Sequence, residues 1–216
     1  MEAEAWNAGA AEWVERVRAG ADHPHDASIL ELLPRPEGPT LDVGCGEGRL
    51  TRLLASLGYD AVGYDRSSSL VEEARRADPE GRYEVAEIEA LPVADRAARL
   101  VLCVNVLMHV ERLEAAVHEL ARVLAPGATA VVGLLHPVAV AGSYDEEADE
   151  LRVHGYFEQH AHGVPLGEHH VFHQHRTIEQ YLRAFLGAGF ALTDLREVPG
   201  RSGRAPLYLD LRLTRR

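Results

Sequence analysis

Leu41-Asp42-Val43-Gly44-Cys45-Gly46-Glu47-Gly48-Arg49 joins an apolar run to a helix-like one through three closely spaced glycines. Thr40 to Val43 reads as a strand; Leu50, Leu53, Leu54 and Leu57 then recur at helical spacing until Gly58. A glycine turn between a strand and a helix lets backbone approach a ligand closely at the carboxyl edge of a sheet. The chain continues outward in the same alternation. Ala61 to Tyr64 is a second strand, Ser67 to Ala77 a helix, Arg82 to Ala86 a third strand. Leu100 to Val104 is a continuous apolar strand, as expected when both faces are covered. Leu113, Val117, Leu120 and Leu124 form a helix face ended by Pro126-Gly127, and Ala128 to Leu135 is a fifth strand. The pattern predicts an α/β fold: a doubly wound, seven-stranded, mostly parallel sheet with a C-terminal antiparallel hairpin, Phe190 to Val198 and Ala205 to Leu213.

A single domain, 1–216, with four segments is expected. Residues 1–33 form a helical cap, whose helix over Glu2 to Gly20 carries Trp6 and Trp13. Residues 34–141 are the ligand-binding core. Residues 142–176 form a polar, acidic, His-rich insertion without a clean period, read as a lid. Residues 177–216 hold a helix over Thr177 to Leu186 and the hairpin, turned at Pro-Gly-Arg-Ser-Gly.

Composition removes several functions. The 22 basic residues are all arginine, and 34 acids bring the net charge to −12. Without lysine there is no Schiff-base chemistry and no P-loop lysine. An acidic chain with no basic block suits neither nucleic acid nor an anionic membrane surface, and no apolar run reaches the ~20 residues of a membrane span. Cys45 and Cys103 suggest no disulfide framework, so a reducing cytoplasm is the expected setting.

The turn also departs from a dinucleotide reader. In G-x-G-x-x-G the third glycine falls where Arg49 stands, and Asp42 and Glu47 flank the loop, which disfavours a diphosphate. Asp65, at the tip of the second strand with Arg66 beside it, can accept both hydroxyls of a ribose. Glu87 and Ile88, ending the third strand, offer an acceptor for an exocyclic amine and an apolar packing surface. These acids describe an adenosine site.

With these residues in place, the chain resembles the class I S-adenosylmethionine-dependent methyltransferases of Rossmann-like fold, in the small-molecule group of ubiquinone/menaquinone-type and natural-product enzymes. Asp42 to Gly48 resembles the family's D-x-G-x-G-x-G, Ala90-Leu91-Pro92 part of its A-x-L-P form, and Asn105-Val106-Leu107-Met108-His109-Val110 its segment after strand four. Ala98-Arg99-Leu100-Val101 lacks the family's usual acid before that strand, and Met108 replaces another. The resemblance implies S-adenosyl-L-methionine as cofactor, S-adenosyl-L-homocysteine as product, and Asp42, Gly44, Cys45, Gly46, Gly48, Asp65, Arg66, Glu87, Ile88 and Asn105 as cofactor-binding residues. It also implies a small-molecule acceptor, with transfer to oxygen, nitrogen or carbon.

Base candidates are histidines, given the missing lysine. His136, directly after the fifth strand and before Pro137, leads; His109 and His175 follow. Trp6, Trp13, Arg176 and Tyr181 are expected substrate contacts. Seven of the 12 histidines fall between His154 and His175, among acids such as Asp145, Glu146, Glu147 and Asp149. No helical period runs through them to make a metal-binding pair on one helix face, and the expectation is no metal. Two competing readings remain: an NAD(P)-dependent oxidoreductase on a related fold, and a metal-binding or regulatory module using the His-rich segment. Assembly is left open between monomer and homodimer.

Overall fold

The computed structural model describes residues 2–20, 25–145, 150–200 and 203–216. In chain order the elements are α1 (Glu2–Arg18), α2 (Asp26–Leu32), β1 (Pro39–Val43), α3 (Arg49–Ser56), β2 (Asp60–Asp65), α4 (Ser68–Ala77), β3 (Tyr83–Val85) and β4 (Ala98–Val104). A single 3-10 turn, Leu107–His109, precedes α5 (Leu113–Val123) and β5 (Leu124–Leu135). There follow α6 (Pro137–Val140), β6 (Gly142–Asp145), β7 (Glu150–Val153), β8 (Ala161–Leu166), β9 (His169–Gln174), α7 (Ile178–Gly187), β10 (Phe190–Pro199) and β11 (Pro206–Arg215).

The main sheet has seven strands in the order β10-β11-β5-β4-β1-β2-β3. β11 alone runs against its neighbours, antiparallel to both β5 and β10. Alternate side chains of β4 explain the apolar run from Leu100 to Val104. Leu100 and Leu102 pack with Ile29 and Leu32 of α2 and Leu54 of α3 on one face. Val101 and Cys103 pack with Val117 and Leu120 of α5 and Phe185 of α7 on the other. From Leu100 to Cys103 every position is buried, so no polar residue interrupts that run.

The expected fold is the observed one, with local differences. Pro126-Gly127 does not end the helix: α5 stops at Val123 and β5 already starts at Leu124, so the pair lies within β5, whose register against β4 shifts between Ala98 and Leu100. β11, the last strand in sequence, lies inside the sheet, which its buried Leu209, Leu211 and Leu213 require. The insertion is not irregular. Its described part forms two antiparallel hairpins, β6-β7 and β8-β9. The expected acids Glu146, Glu147 and Asp149, and the turn residues Arg201 and Ser202, lie outside the described residues.

α1 runs over the carboxyl edge of the sheet. Ala10 and Val14 pack against Leu70 of α4, and Gly9 lies against Leu166 of β8. Asn7 Oδ1 accepts from Ser67 Oγ at 2.7 Å and from the Ser69 backbone N–H at 3.2 Å, while Ser67 caps α4. The cap is thus fixed to the helix that follows β2. No described helix is long and apolar enough to cross a membrane.

Candidate active site

A cleft of about 990 Å³, open at its mouth, lies between the ends of β1, β2, β3 and β4 and the roof made by α1. The floor is the glycine turn. Gly44, Gly46 and Gly48 all have left-handed backbone, with φ of 78°, 57° and 82°. Space as well as φ demands glycine at 44, where a Cβ would lie 2.1 Å from Val106 Cγ2. At Gly46 a Cβ would stand in the cleft, with only Trp13 Nε1 near it at 3.5 Å. The turn is therefore a cradle whose backbone a side chain would cover.

Asp65 stands at its edge. Its Oδ2 accepts from the Gly46 N–H at 2.9 Å and its Oδ1 from the Ser67 N–H at 2.8 Å. Burial raises its pKa, and those two backbone donors oppose the rise. Each oxygen keeps a second lone pair for a ligand hydroxyl. Further along the same wall, Arg66 and Glu87 pair at 3.2 Å, next to Ile88. The opposite wall is Asn105, Val106, His109 and Val110.

Two expected cofactor contacts do not face the cleft. Asp42 is buried beneath the turn, where its Oδ2 accepts from Thr51 Oγ1 at 2.6 Å and burial pushes its pKa up to about 6. Gly48 faces Tyr83, whose Cε1 would lie 2.6 Å from a Cβ there. Both shape the turn from behind. Gly44, Cys45, Gly46, Asp65, Arg66, Glu87, Ile88 and Asn105 do line the cleft. Glu47 lines it too, held by Arg52 at 2.7 Å, as does Arg49, which makes two contacts to Asp26.

The candidate bases separate. His136 is 1% exposed and lies outside the cleft. Its Nδ1 accepts from the Val138 N–H at 3.1 Å, capping α6, and its Nε2 meets Glu197 at 3.0 Å, so both ring nitrogens are committed. Proline after His136 serves that cap, which corrects the expectation of a base there. His175 Nε2 meets the Tyr156 carbonyl at 2.8 Å, and its ring stacks on His160 at 4.9 Å beside a separate polar pocket. Arg176 donates to the carbonyls of Leu107, Val110 and Glu111, tying α7 to the cleft wall from outside, and Tyr181 is core. These three also do not reach the cleft.

His109 does. Its Nδ1 lies 3.1 Å from the Phe172 carbonyl, which only accepts, so Nδ1 carries hydrogen and Nε2 holds the lone pair. Burial, with His173 4.7 Å away, lowers its pKa to about 3. Trp6 meets its ring edge-on at 5.1 Å and Trp13 meets Trp6 at 5.3 Å, so both indoles roof this end. On β8 and β9, His162 pairs across with His173, and their rings lie 5.1 Å apart. No group of three or more His, Cys, Asp or Glu among the described residues is placed to hold a metal ion. The anchoring by Asn7 has only a partial signal in sequence: Ser67-Ser68-Ser69 marks a helix start with donors to spare.

A family model described as a methyltransferase domain matches residues 41–132. A malonyl-[acyl-carrier protein] O-methyltransferase of Enterobacter lignolyticus is 35% identical over 102 residues, 47% of this chain and 41% of that protein. A trans-aconitate 2-methyltransferase of Variovorax paradoxus is 34% identical over 102 residues, 46% of this chain and 39% of that protein. The chain thus spans about two fifths of the length of these curated relatives. A crystal structure of an S-adenosylmethionine-dependent methyltransferase from Mesorhizobium loti superposes with a TM-score of 0.79, covering 90% of this chain and 99% of that one at 22% identity. That likeness establishes the fold.

Proposed function

We propose that the chain, whose residues 41–132 match a methyltransferase-domain model, is a class I S-adenosylmethionine-dependent methyltransferase that methylates a small, largely apolar molecule held under Trp6 and Trp13. One observation carries the reading: a single cleft runs from Asp65 and Glu87, past the bare backbone of Gly44 to Gly46, to His109 and the two indoles. The first end fits an adenosine, the middle a group that needs close backbone approach, and the last an acceptor.

In this reading Asp65 binds the ribose hydroxyls, Glu87 and Ile88 take the adenine, and the turn receives the methionine portion. When bound, the cofactor supplies a methyl carbon on a sulfonium, which departs as a neutral thioether. The chain's contribution is chiefly alignment: the roof and the wall from Asn105 to Val110 hold the acceptor in line and exclude water. His109 Nε2 takes the proton of a hydroxyl or amine acceptor. Its low pKa keeps Nε2 unprotonated at physiological pH but makes it a weak base, so it takes the proton as the methyl bond forms and the acceptor becomes strongly acidic. The acceptors in the relatives' names, malonyl and aconitate, are carboxylic acids and need no such base. The apolar lining here, with Trp6, Trp13, Val106 and Val110 around the imidazole, favours a less charged one.

Calorimetry and turnover test this. Asp65→Ala should weaken S-adenosylhomocysteine binding at least about 10-fold, the scale of a lost hydrogen bond to a charged group. His109→Gln should leave that affinity within about 3-fold while lowering kcat by about 100-fold on a hydroxyl acceptor, and by little on a carboxylate. Full affinity in the Asp65 variant would sink the cofactor assignment, and full kcat in the His109 variant the base.

A further inference from the structure

Behind the wall opposite Asp65, residues distant in sequence meet in a buried polar cluster for which methyl transfer in the cleft has no use. His25, at the start of α2, is 1% exposed, and Asp210 on β11 is 0% exposed. His25 Nδ1 lies 3.0 Å from Asp210 Oδ1. A carboxylate only accepts, so Nδ1 carries the hydrogen and Nε2 is left as an acceptor. Asn105 Nδ2 donates to it at 3.3 Å. The imidazole lies flat on Tyr208, with ring centres 3.9 Å apart and planes inclined by 7°.

Gly133 in β5 makes room for this cluster. It pairs with Asp210 in the sheet, and a Cβ there would come within 3.0 Å of His25 Cε1 and 3.1 Å of Asp210 Oδ1. Its carbonyl also accepts from the Asn105 N–H at 2.8 Å. Asn105 is thus gripped through backbone and side chain, and it needs to be, because its φ is +58°. Left-handed backbone is tolerated by asparagine but unfavourable beside glycine. The reversal at Asn105 carries Val106 onto Gly44 and begins the wall that ends at His109.

We infer that His25 and Asp210 are positioning residues: they hold Asn105 in its left-handed turn and so set the Val106 to His109 wall against the glycine turn. The inference rests on the cleft's reading as a methyl-donor site, and the test separates the two. Calorimetry with S-adenosylhomocysteine is run on the full chain, on H25L/D210L, on N105G and on the triple variant. Removing both buried partners together avoids stranding a charge. H25L/D210L should bind about 10-fold more weakly than wild type, whereas adding it to N105G should cost less than about 2-fold, because glycine keeps φ +58° without a tether.

Equal losses in the two backgrounds, or no loss in the first, overturn the proposal. If H25L/D210L does not fold, H25Q takes its place in the same cycle, and the same two outcomes overturn the proposal. Hydrogen exchange of the His109 amide, bonded to the Val106 carbonyl at 2.8 Å, reads the coupling without ligand. It should speed up at least about 10-fold in H25L/D210L and not respond to the same change in N105G. A wild-type chain that binds no S-adenosylhomocysteine counts against the cofactor reading alone, and the exchange then decides the dyad.

Discussion

His109 and His173 are neutral imidazoles packed edge to face, with pKa values lowered to about 3 and about 4, chiefly by burial. Unfolded, both would titrate at ~6.5. Their contribution is therefore complete above pH 6.5 and is lost as pH falls through 6.5 toward 4 and 3. Asp42 acts in the opposite sense. Its pKa, raised to about 6, means that its buried charge costs stability above pH 6 and that protonation relieves the cost below. His109 and His173, with His136 and His162 also lowered by burial, outweigh the raised carboxyls Asp42 and Asp65, so Tm should drop by about 2–5 °C between about pH 7 and about pH 5.5, since each group contributes at most ~1.4 kcal/mol per pH unit. His109→Gln/His173→Gln should make that slope shallower in a thermal-melt series; an unchanged slope would show that these rings do not carry it. At this scale the sequence spoke unevenly. Asp65 and the glycines announce themselves through motif position. His25 and Asp210 carry no local signal, because what defines them is a meeting across 185 positions of chain.

Among the elements, the core strands and helices were legible from how they are buried: β4 on both faces, through its apolar run from Leu100 to Val104, and α5 on one, through Leu113, Val117 and Leu120. The β8-β9 hairpin was not. Its sequence alternates only weakly, with Val164, Leu166 and Val171 among histidines, and its order comes from docking on α1 rather than from local preference. The contact that docks it is specific. At Gly9 a Cβ would lie 2.4 Å from Leu166 Cγ, and Leu166 is 1% exposed. Gly9→Val should therefore push the hairpin off the cap, costing about 1–3 kcal/mol, or roughly 2–10 °C in Tm. Gly9→Ala should cost less. Equal melting of Gly9→Val and wild type would mean that hairpin and cap are not packed as described. The same reasoning explains the misplaced bases. Positions next to strands and helices mark His136 and His175, but the His136 ring is taken up by the Val138 N–H and Glu197, and His175 Nε2 by the Tyr156 carbonyl outside the cleft.

For the molecule as a whole, both tryptophans in the chain stand in the roof of one cleft. Intrinsic fluorescence therefore reports a single place. Titration with S-adenosylhomocysteine should shift or quench the emission saturably, with a midpoint equal to the calorimetric Kd; emission that ignores the ligand would place it away from α1. The acid-rich, lysine-free composition also takes on a definite layout: Glu47 is met by Arg52, Asp26 by Arg49 and Glu87 by Arg66, so the acids around the cleft are largely balanced by arginine at its rim.

β11 has a consequence of another kind. It sits between β5 and β10 and presents Asp210 to His25, yet it is the last of the sheet's strands to leave the ribosome. A nascent chain emerging N-terminus first would hold α2, β1 and the glycine turn long before the strand that completes the central sheet. Until residues 206–215 are available, β5 has an open edge and His25 lacks the carboxylate of Asp210. Vectorial synthesis and final assembly thus run in different orders, and a functional cleft waits on the emergence of β11.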